Sequence, residues 1–195
     1  MKILFMGTPD FAQAGLKKLI EDGREVVGVV TNPDKPKGRG HKMMMPPVKE
    51  TAIEASIPVY QPQSLRNGEL QEVLDELKPD VICVIAYGKI LPSYVINYPK
   101  YGCINVHGSL LPSYRGAAPI QRSVINGEKY TGVTTMLMNE GLDTGDILLC
   151  EKVEIGETET SEELFDRLAP IGGELLLKTL DALESGTVTP VPHQR

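Results

Sequence analysis

Short apolar runs alternate with amphipathic stretches along this chain, which is the pattern of a largely parallel sheet whose strands are joined by helices. The runs predict strands at residues 3–6, 26–31, 59–60, 81–86, 103–107, 133–138 and 147–153. Residues 81–86 are almost continuously apolar, as expected for a strand covered on both faces. The predicted fold class is therefore α/β, with a Rossmann-like, mostly parallel sheet and helices on both faces.

The stretches between these runs predict the helices. They lie at residues 9–22, 48–55, 69–77 and 119–126, and a long helix starts at residue 161, behind the capping-box pattern of Thr160 and Glu163. Thr8 is expected to cap the first helix, with Pro9 at its first position and Gly23 at its end. Residues 32–47 are rich in proline and are expected to form a loop.

Composition indicates an ordinary globular domain. Of 195 residues, 41% are hydrophobic and 24% are charged, and no apolar run approaches the roughly 20 residues that span a bilayer. The sequence therefore predicts a cytoplasmic protein with no membrane partner. Cys83, Cys103 and Cys150 lie too far apart in sequence for a metal motif, and the first two are expected to be small core residues.

Charge is distributed unevenly. The net charge of −6 argues mildly against a nucleic-acid partner, yet residues 33–49 contain one acid and five basic residues, Lys35, Lys37, Arg39, Lys42 and Lys49. One interpretation of this long loop is a solvated insertion. The other is a mobile arm that follows a phosphate backbone and becomes ordered on contact.

Two polar side chains stand on the predicted strand 103–107. Asn105 and His107 share one face because side chains alternate along a strand, and Gly108 follows where the chain can turn. An open α/β sheet places its sites at strand ends. An amide beside an imidazole suits a reaction in which a carbonyl oxygen becomes an oxyanion and a proton moves. The alternative is that both side chains are structural and have satisfied hydrogen bonds.

Asp143 is the candidate carboxylate partner. It lies between Gly141 and Gly145, in the predicted loop between two strands, and a carboxylate there could orient and charge a nearby imidazole. Asp146 competes for this role, since either aspartate could cap a turn. His107 is the only one of three histidines on a predicted strand, which makes it the candidate for proton transfer near neutral pH.

Other chemistries lack their motifs. The first strand–helix turn has no Gly-x-Gly-x-x-Gly, and Pro9 removes a backbone amide that a phosphate would need. No Walker lysine follows a glycine-rich loop, and no metal-ligand spacing is visible. Neither a dinucleotide cofactor nor a metal ion is therefore expected.

Taken together, these residues resemble a known family. Asn105, His107 and Asp143, with Gly-Ser-Leu-Leu-Pro at residues 108–112, are similar to the formyltransferases that use 10-formyltetrahydrofolate. Residues 7–11, 33–40, 114–122 and 141–146 narrow the resemblance to the members of that family that act on methionyl initiator tRNA. The resemblance covers essentially the whole chain.

The resemblance implies the formyltransferase fold and transfer of a formyl group from 10-formyltetrahydrofolate to the α-amine of methionyl initiator tRNA, without a metal. It implies a catalytic set of Asn105, His107 and Asp143. The folate-binding residues that it implies are Ser109, Leu110, Leu111 and Pro112, together with Ala86, Tyr87, Gly88, Ile90 and Leu91. The tRNA-binding residues that it implies are Lys35, Lys37, Arg39 and Lys42.

The resemblance also implies a domain organisation. Residues 1–184 would be the catalytic domain, and residues 185–195 a linker toward a C-terminal β-barrel domain that is expected to be absent from this chain. Alternative functions stay open: the acceptor could be glycinamide ribonucleotide or an amino sugar, or the chain could be a non-catalytic RNA-binding module of the same fold. Glycinamide ribonucleotide would not require the basic loop, and the intact Asn105, His107 and Asp143 argue against the non-catalytic module.

Overall fold

The computed structural model describes residues 1–40 and 42–193, so His41 of the predicted loop and the last two residues of the predicted linker lie outside the described residues. The chain divides into two units, Met1–Cys103 and Ile104–Arg195. In chain order the elements are β1 (Lys2–Gly7), α1 (Asp10–Glu21), β2 (Glu25–Val30), β3 (Lys35–Lys37), β4 (Lys42–Met44), α2 (Pro47–Glu54), β5 (Val59–Tyr60), α3 (Gln71–Leu77), β6 (Val81–Ile85), α4 (Ser93–Ile96), β7 (Cys103–His107), α5 (Pro119–Ile125), β8 (Tyr130–Leu137), β9 (Asp146–Glu154) and α6 (Ser161–Ser185).

The first unit is a parallel α/β sheet. Its strands lie in the order β5-β2-β1-β6, and all of these pairings are parallel. Helix α1 packs on one face, with Gly15 next to the ring of Phe5. The other face receives the end of α3, because Leu77 packs against Gly28 and beside Leu4, whose side chain points away from that of Phe5. Helices therefore cover both faces of this sheet.

The second unit begins with an antiparallel arrangement. Strand β7 pairs with β8, and β8 pairs with β9, both antiparallel. Helix α6 packs on β8 and β9, and the hydroxyls of Thr135 and Thr179 lie 2.8 Å apart across that contact. The predicted capping box is confirmed: Thr160 Oγ1 accepts from the Glu163 amide, and the Glu163 carboxylate accepts from the Thr160 amide.

Most predicted elements are confirmed, with ends shifted by up to three residues, and the predicted α/β class is confirmed, with antiparallel pairing of β8 to β7 and to β9. The short helix α4 was not predicted, because a single turn after a proline carries no periodic pattern. Among the described residues, no helix is both long enough and apolar enough to cross a membrane.

The prediction that Thr8 caps α1 is wrong. Pro9 occupies the N-cap position, and no side chain caps this helix. The Thr8 hydroxyl instead donates to the Tyr87 carbonyl at 3.1 Å and accepts from the Asn32 amide at 3.4 Å. Because these residues follow β1, β6 and β2, the hydroxyl links the carboxyl ends of three parallel strands rather than the start of a helix.

The prediction of a plain loop at residues 32–47 is wrong in part. Strands β3 and β4 form a small antiparallel hairpin, with Lys35 opposite Met44 and Lys37 opposite Lys42. Gly38 and Gly40 have positive φ angles of 77° and 96°, which allow the chain to reverse there. A hairpin this short, made of lysine, proline and methionine, has no alternating apolar pattern that would have predicted it.

Candidate active site

Strand β7 presents Asn105 and His107 on one face. Ile104 and Val106, on the opposite face, are almost completely buried. His107 is only 7% exposed, whereas Asn105 is half-buried. In the antiparallel pairing with β8, His107 lies opposite Thr134 and Asn105 opposite Met136. The strand therefore delivers an amide and an imidazole side by side, as the alternation predicts.

The ring of His107 is fixed by a backbone carbonyl. Its Nε2 lies 2.8 Å from the carbonyl oxygen of Tyr114. A carbonyl can only accept, so Nε2 carries a proton and donates it to this bond. Nδ1 is then the ring nitrogen left for exchange with another group.

Nδ1 faces Asp143. The distance from His107 Nδ1 to Asp143 Oδ2 is 3.7 Å, and both side chains are mostly buried. The same Oδ2 atom accepts a hydrogen bond from the Gly116 amide at 2.7 Å, which fixes the carboxylate. Asp146 is instead the first residue of β9, where it pairs with Leu137. The structure therefore places Asp143 rather than Asp146 beside the imidazole.

The loop that carries Asp143 is organised by its own polar groups. Asn139 Oδ1 accepts from the Gly141 amide at 2.9 Å and from the Thr144 hydroxyl at 2.8 Å. Asp143 has a φ of 51°, in the left-handed region that aspartate tolerates better than most residues. A side chain at Gly145 would collide with the carbonyl of Leu137. Asn139 therefore organises the loop that carries the Asp143 carboxylate.

The segment at residues 109–112 is held firmly by β8. Thr134 Oγ1 donates to the Ser109 carbonyl at 2.7 Å and accepts from the Leu111 amide at 3.1 Å. Ser109 is fully buried, and its hydroxyl donates to the Ser113 carbonyl. Pro112 is exposed and Leu110 is half-buried. A ligand could therefore reach the surface of Leu110 and Pro112, while the Ser109 side chain shapes the turn.

The other predicted folate segment lies in the first unit. Tyr87 is buried, and its carbonyl accepts from the Asn32 amide group at 2.7 Å in addition to the Thr8 hydroxyl. Burial raises the pKa of the Tyr87 phenol to about 12. Ala86 and Gly88 are exposed, Leu91 is buried, and the Ile90 side chain is 87% exposed. The apolar side chain of Ile90 is therefore open to contact from another molecule.

The basic residues of the predicted tRNA-binding set all lie on the hairpin of β3 and β4. Lys35 and Lys37 are on β3, Lys42 is on β4, Arg39 is in the turn, and all four are exposed. Three methionines on the same segment are also exposed, Met43, Met44 and Met45.

Asp34 anchors this hairpin. Its carboxylate accepts from the Gln61 amide group at 2.7 Å and from Lys49 Nζ at 3.0 Å. The hydrogen bond from Gln61, followed by that from Lys49, lowers the pKa of Asp34 below its ordinary value. The basic tip therefore projects from a fixed base.

The segment after α6 returns to the site. Val191 pairs with Ile147 through two backbone hydrogen bonds of 2.8 Å, and His193 Nδ1 accepts from Arg115 Nη2 at 2.6 Å. Burial, and then the positive charge of Arg115, lower the pKa of His193. Arg115 lies in the turn that contacts both His107 and Asp143.

Across residues 1–40 and 42–193, no group of three or more histidine, cysteine, aspartate or glutamate side chains could hold a metal ion. Cys83 and Cys103 are buried, as predicted, and burial raises the pKa of Cys103 to about 12. Cys150 is exposed.

Sequence reasoning missed the residues that hold the pair in place. The Tyr114 carbonyl and the Gly116 amide are backbone groups, so no side-chain pattern identifies them. Arg122 donates to the Tyr114 carbonyl at 3.0 Å and to the Arg115 carbonyl at 2.8 Å. Arg122 lies one helical turn after Ala118, at the start of α5. A long side chain at that position can reach back to the turn that precedes the helix, and this spacing is the signal that the sequence offered.

Curated methionyl-tRNA formyltransferases are similar to this chain over nearly its whole length. The chain is 55% identical to the methionyl-tRNA formyltransferase of Alkaliphilus oremlandii, over 99% of this chain and 62% of that protein. It is 57% identical to the methionyl-tRNA formyltransferase of Clostridium botulinum, over 100% of this chain and 63% of that protein. The chain thus spans about three fifths of the length of the curated relatives that it matches.

Solved structures share the fold at lower identity. A phosphoribosylglycinamide formyltransferase from Bacillus halodurans superposes with a TM-score of 0.78 at 24% identity, covering 95% of this chain and 96% of that one. An N-formyltransferase from Helicobacter canadensis superposes with a TM-score of 0.74 at 20% identity, covering 100% of this chain and 68% of that one. The model of the formyl transferase family matches residues 1–180, and the chain belongs to this family.

Proposed function

We propose that this chain transfers a formyl group from 10-formyltetrahydrofolate to the α-amine of methionine esterified to initiator tRNA. The observation that carries the proposal is the arrangement of Asn105, His107 and Asp143 in a member of the formyl transferase family. The acceptor follows from relatives at 53–57% identity, which are named methionyl-tRNA formyltransferases. These relatives are longer than this chain, so assigning their activity to it is part of the proposal.

The chemistry follows from the site. The amine attacks the formyl carbon, and the carbonyl oxygen becomes an oxyanion. We assign as donors to that oxygen the Asn105 amide and the Nδ1–H of His107 in its imidazolium form, since His107 Nε2–H is already bound to Tyr114. Asp143 balances the charge of the imidazolium and takes part in moving the proton from the attacking amine to N10 of the folate, which leaves as tetrahydrofolate.

The binding roles are part of the same proposal. The exposed surface of Ile90 and of Pro112 supports a folate role for the two segments at residues 86–91 and 109–112. The exposed cations of the hairpin, Lys35, Lys37, Arg39 and Lys42, support contact with the phosphates of tRNA. No metal enters the mechanism, and we place the reaction in the cytoplasm, where initiator tRNA is used.

The alternative acceptors have weaker support. Glycinamide ribonucleotide and amino sugars are suggested by the names of structural neighbours at 20–24% identity, a level at which the likeness establishes the fold alone. The exposed basic hairpin is also not required by either small acceptor. A non-catalytic RNA-binding module would have no use for a buried imidazole beside a carboxylate.

A parallel transfer assay tests the proposal. The purified chain is supplied with 10-formyltetrahydrofolate labelled in the formyl group and, separately, with methionyl-tRNA, glycinamide ribonucleotide or an amino sugar, beside a His107→Ala control. Label is expected on methionyl-tRNA alone and only with the intact chain. Transfer to a small acceptor instead would replace the proposed substrate. RNA binding without transfer to any acceptor would favour the non-catalytic module.

A further inference from the structure

We propose that Arg122 is a positioning residue that sets the geometry and proton placement of the His107–Asp143 pair, acting through the turn at residues 114–116. Its kinetic consequence rests on the proposed formyl transfer. Its structural consequence, the nitrogen of His107 that carries the proton, can be measured without any substrate.

Both members of the pair bind the same turn. His107 Nε2 donates to the Tyr114 carbonyl at 2.8 Å, and Asp143 Oδ2 accepts from the Gly116 amide at 2.7 Å. The two backbone groups are separated by a single residue. A change in the conformation of this turn would therefore move the imidazole and the carboxylate relative to each other.

The backbone of this turn has an unfavourable conformation at Tyr114. Tyr114 has a φ of 57°, which is unfavourable for a residue with a bulky side chain, and Gly116 has a φ of 90°. The phenol of Tyr114 donates to Glu128 Oε1 at 2.6 Å and accepts from Asn126 Nδ2 at 3.0 Å. These contacts hold the outer end of the side chain, but they do not reach the carbonyl that binds His107.

Arg122 supplies the contact that does reach it. From helix α5, its Nη2 atom donates to the Tyr114 carbonyl at 3.0 Å and to the Arg115 carbonyl at 2.8 Å. Its guanidinium carbon also lies 5.3 Å from the centre of the Tyr114 ring. Charged donors make stronger hydrogen bonds than neutral ones, and a guanidinium is a planar, rigid donor. One side chain thus fixes two successive carbonyls and the ring beside them.

This arrangement also determines the tautomer. The Tyr114 oxygen has two lone pairs, so it can accept from Arg122 Nη2 and from His107 Nε2–H at the same time. With the carbonyl held, the neutral imidazole is restricted to the Nε2–H form, and Nδ1 remains available toward Asp143. Without Arg122 the carbonyl can rotate away, and both tautomers become accessible.

The test compares Arg122→Gln with Arg167→Gln. Arg167 is a matched control because it too donates hydrogen bonds from a helix to groups outside that helix, two to the Glu159 carboxylate and one to the Glu154 carbonyl. Nitrogen-15 spectra of the histidine rings are recorded at about pH 9, above the usual imidazole range. Formyl transfer is measured in parallel, and thermal melting confirms that each variant is folded.

We expect the intact chain and Arg167→Gln to show His107 as a pure Nε2–H ring, and Arg122→Gln to show averaged signals of both tautomers. The kcat of Arg122→Gln should fall roughly 10- to 100-fold, with the KM for folate nearly unchanged, because misplacement by about 1 Å costs this much. A folded Arg122→Gln with an unchanged His107 spectrum would overturn the proposal.

Two further outcomes distinguish failure of the Arg122 proposal from failure of the proposed function. If Arg122→Gln does not fold, Arg122→Lys decides: it keeps the charge with a different donor geometry, so partial averaging supports the proposal and a wild-type spectrum with wild-type kcat overturns it. If the intact chain transfers no formyl group, the proposed function fails. The ring spectra then still decide whether Arg122 controls the tautomer of His107.

Discussion

His107 Nδ1 lies 3.7 Å from Asp143 Oδ2, and the two side chains are only 8% and 12% exposed. This distance is longer than a hydrogen bond but close enough for electrostatic attraction with little screening by water. Catalytic hydrogen bonds are often long before substrate binds and shorten in the reacting complex. Closure by about 1 Å would let His107 Nδ1 and the Asp143 carboxylate share a proton.

Replacing His107 by alanine should abolish most formyl transfer while the fold is retained. Loss of a general acid or base commonly reduces the rate by about 10²- to 10⁴-fold. The variant should show a wild-type circular dichroism spectrum, since the backbone of β7 is paired along its length with β8. Transfer at near wild-type rate by a folded His107→Ala variant would show that the imidazole has no such role.

Asp143→Asn should reduce transfer far more than Asp146→Asn. An asparagine at position 143 can still accept the Gly116 amide bond but removes the negative charge beside His107, so the effect reports charge rather than loop structure. Asp146 pairs with Leu137 at the start of β9 and should tolerate the change within about twofold. Rates of single-turnover transfer give the ranking, and the reverse order would assign the role to Asp146.

The pair could be predicted from the sequence only in part. Alternation along a strand places Asn105 and His107 together, and the glycines around Asp143 indicate a tight loop, so the side chains themselves were identifiable. The groups that hold them were not, because the Tyr114 carbonyl and the Gly116 amide have no side-chain signature. The Tyr114 carbonyl binds His107, and the Gly116 amide binds Asp143.

Thr8 shows that local sequence patterns are also an incomplete guide to the fold. Its position before a proline and an aspartate fits a helix cap, but its hydroxyl binds the Tyr87 carbonyl and the Asn32 amide instead. A local sequence pattern does not show that residues distant in sequence will compete for the same hydroxyl. The strands of the first unit were predictable for the opposite reason, since an apolar run buried on both faces is a local property of the chain.

Trypsin should cut the native chain first within the hairpin of β3 and β4. Its lysines and Arg39 are exposed, and three-residue strands whose side chains are all exposed oppose local opening weakly. Initiator tRNA should slow this cut, and Arg39→Ala should weaken tRNA binding without changing folate affinity, whereas Arg66→Ala in the exposed turn at Arg66–Gly68 should not. Equal cleavage with and without tRNA would favour a solvated insertion that makes no tRNA contact.

Asp34 should make the stability of the first unit depend on acid. Its pKa in the folded chain is lowered, chiefly by the hydrogen bond from Gln61 and then by Lys49, so the ionised carboxylate stabilises the fold. This contribution is present above the ordinary pKa of an aspartate, near 4, and is lost as the pH falls through the lowered value. The melting temperature of Asp34→Asn should therefore lie below that of the intact chain at neutral pH. The two melting temperatures should converge in acid, and a constant difference at all pH values would contradict the assignment.

Only Cys150 should react with a thiol reagent in the native chain at about pH 8. Cys150 is exposed, whereas Cys103 is buried and its pKa is raised by burial to about 12, so almost none of it is thiolate at that pH. Burial also raises the pKa of Cys83, and all three thiols should react once the chain is denatured.

The same measurement reports on the strand that carries the site. Cys103 is the first residue of β7, and its Sγ lies 3.6 Å from the Val95 carbonyl, so a reagent can reach it only if the strand or α4 opens. A Cys150→Ser variant isolates this slow reaction, and its rate then measures the opening of the strand that holds Asn105 and His107. Labelling of Cys103 as fast as that of Cys150 would mean that β7 is not the rigid support that the proposed chemistry requires.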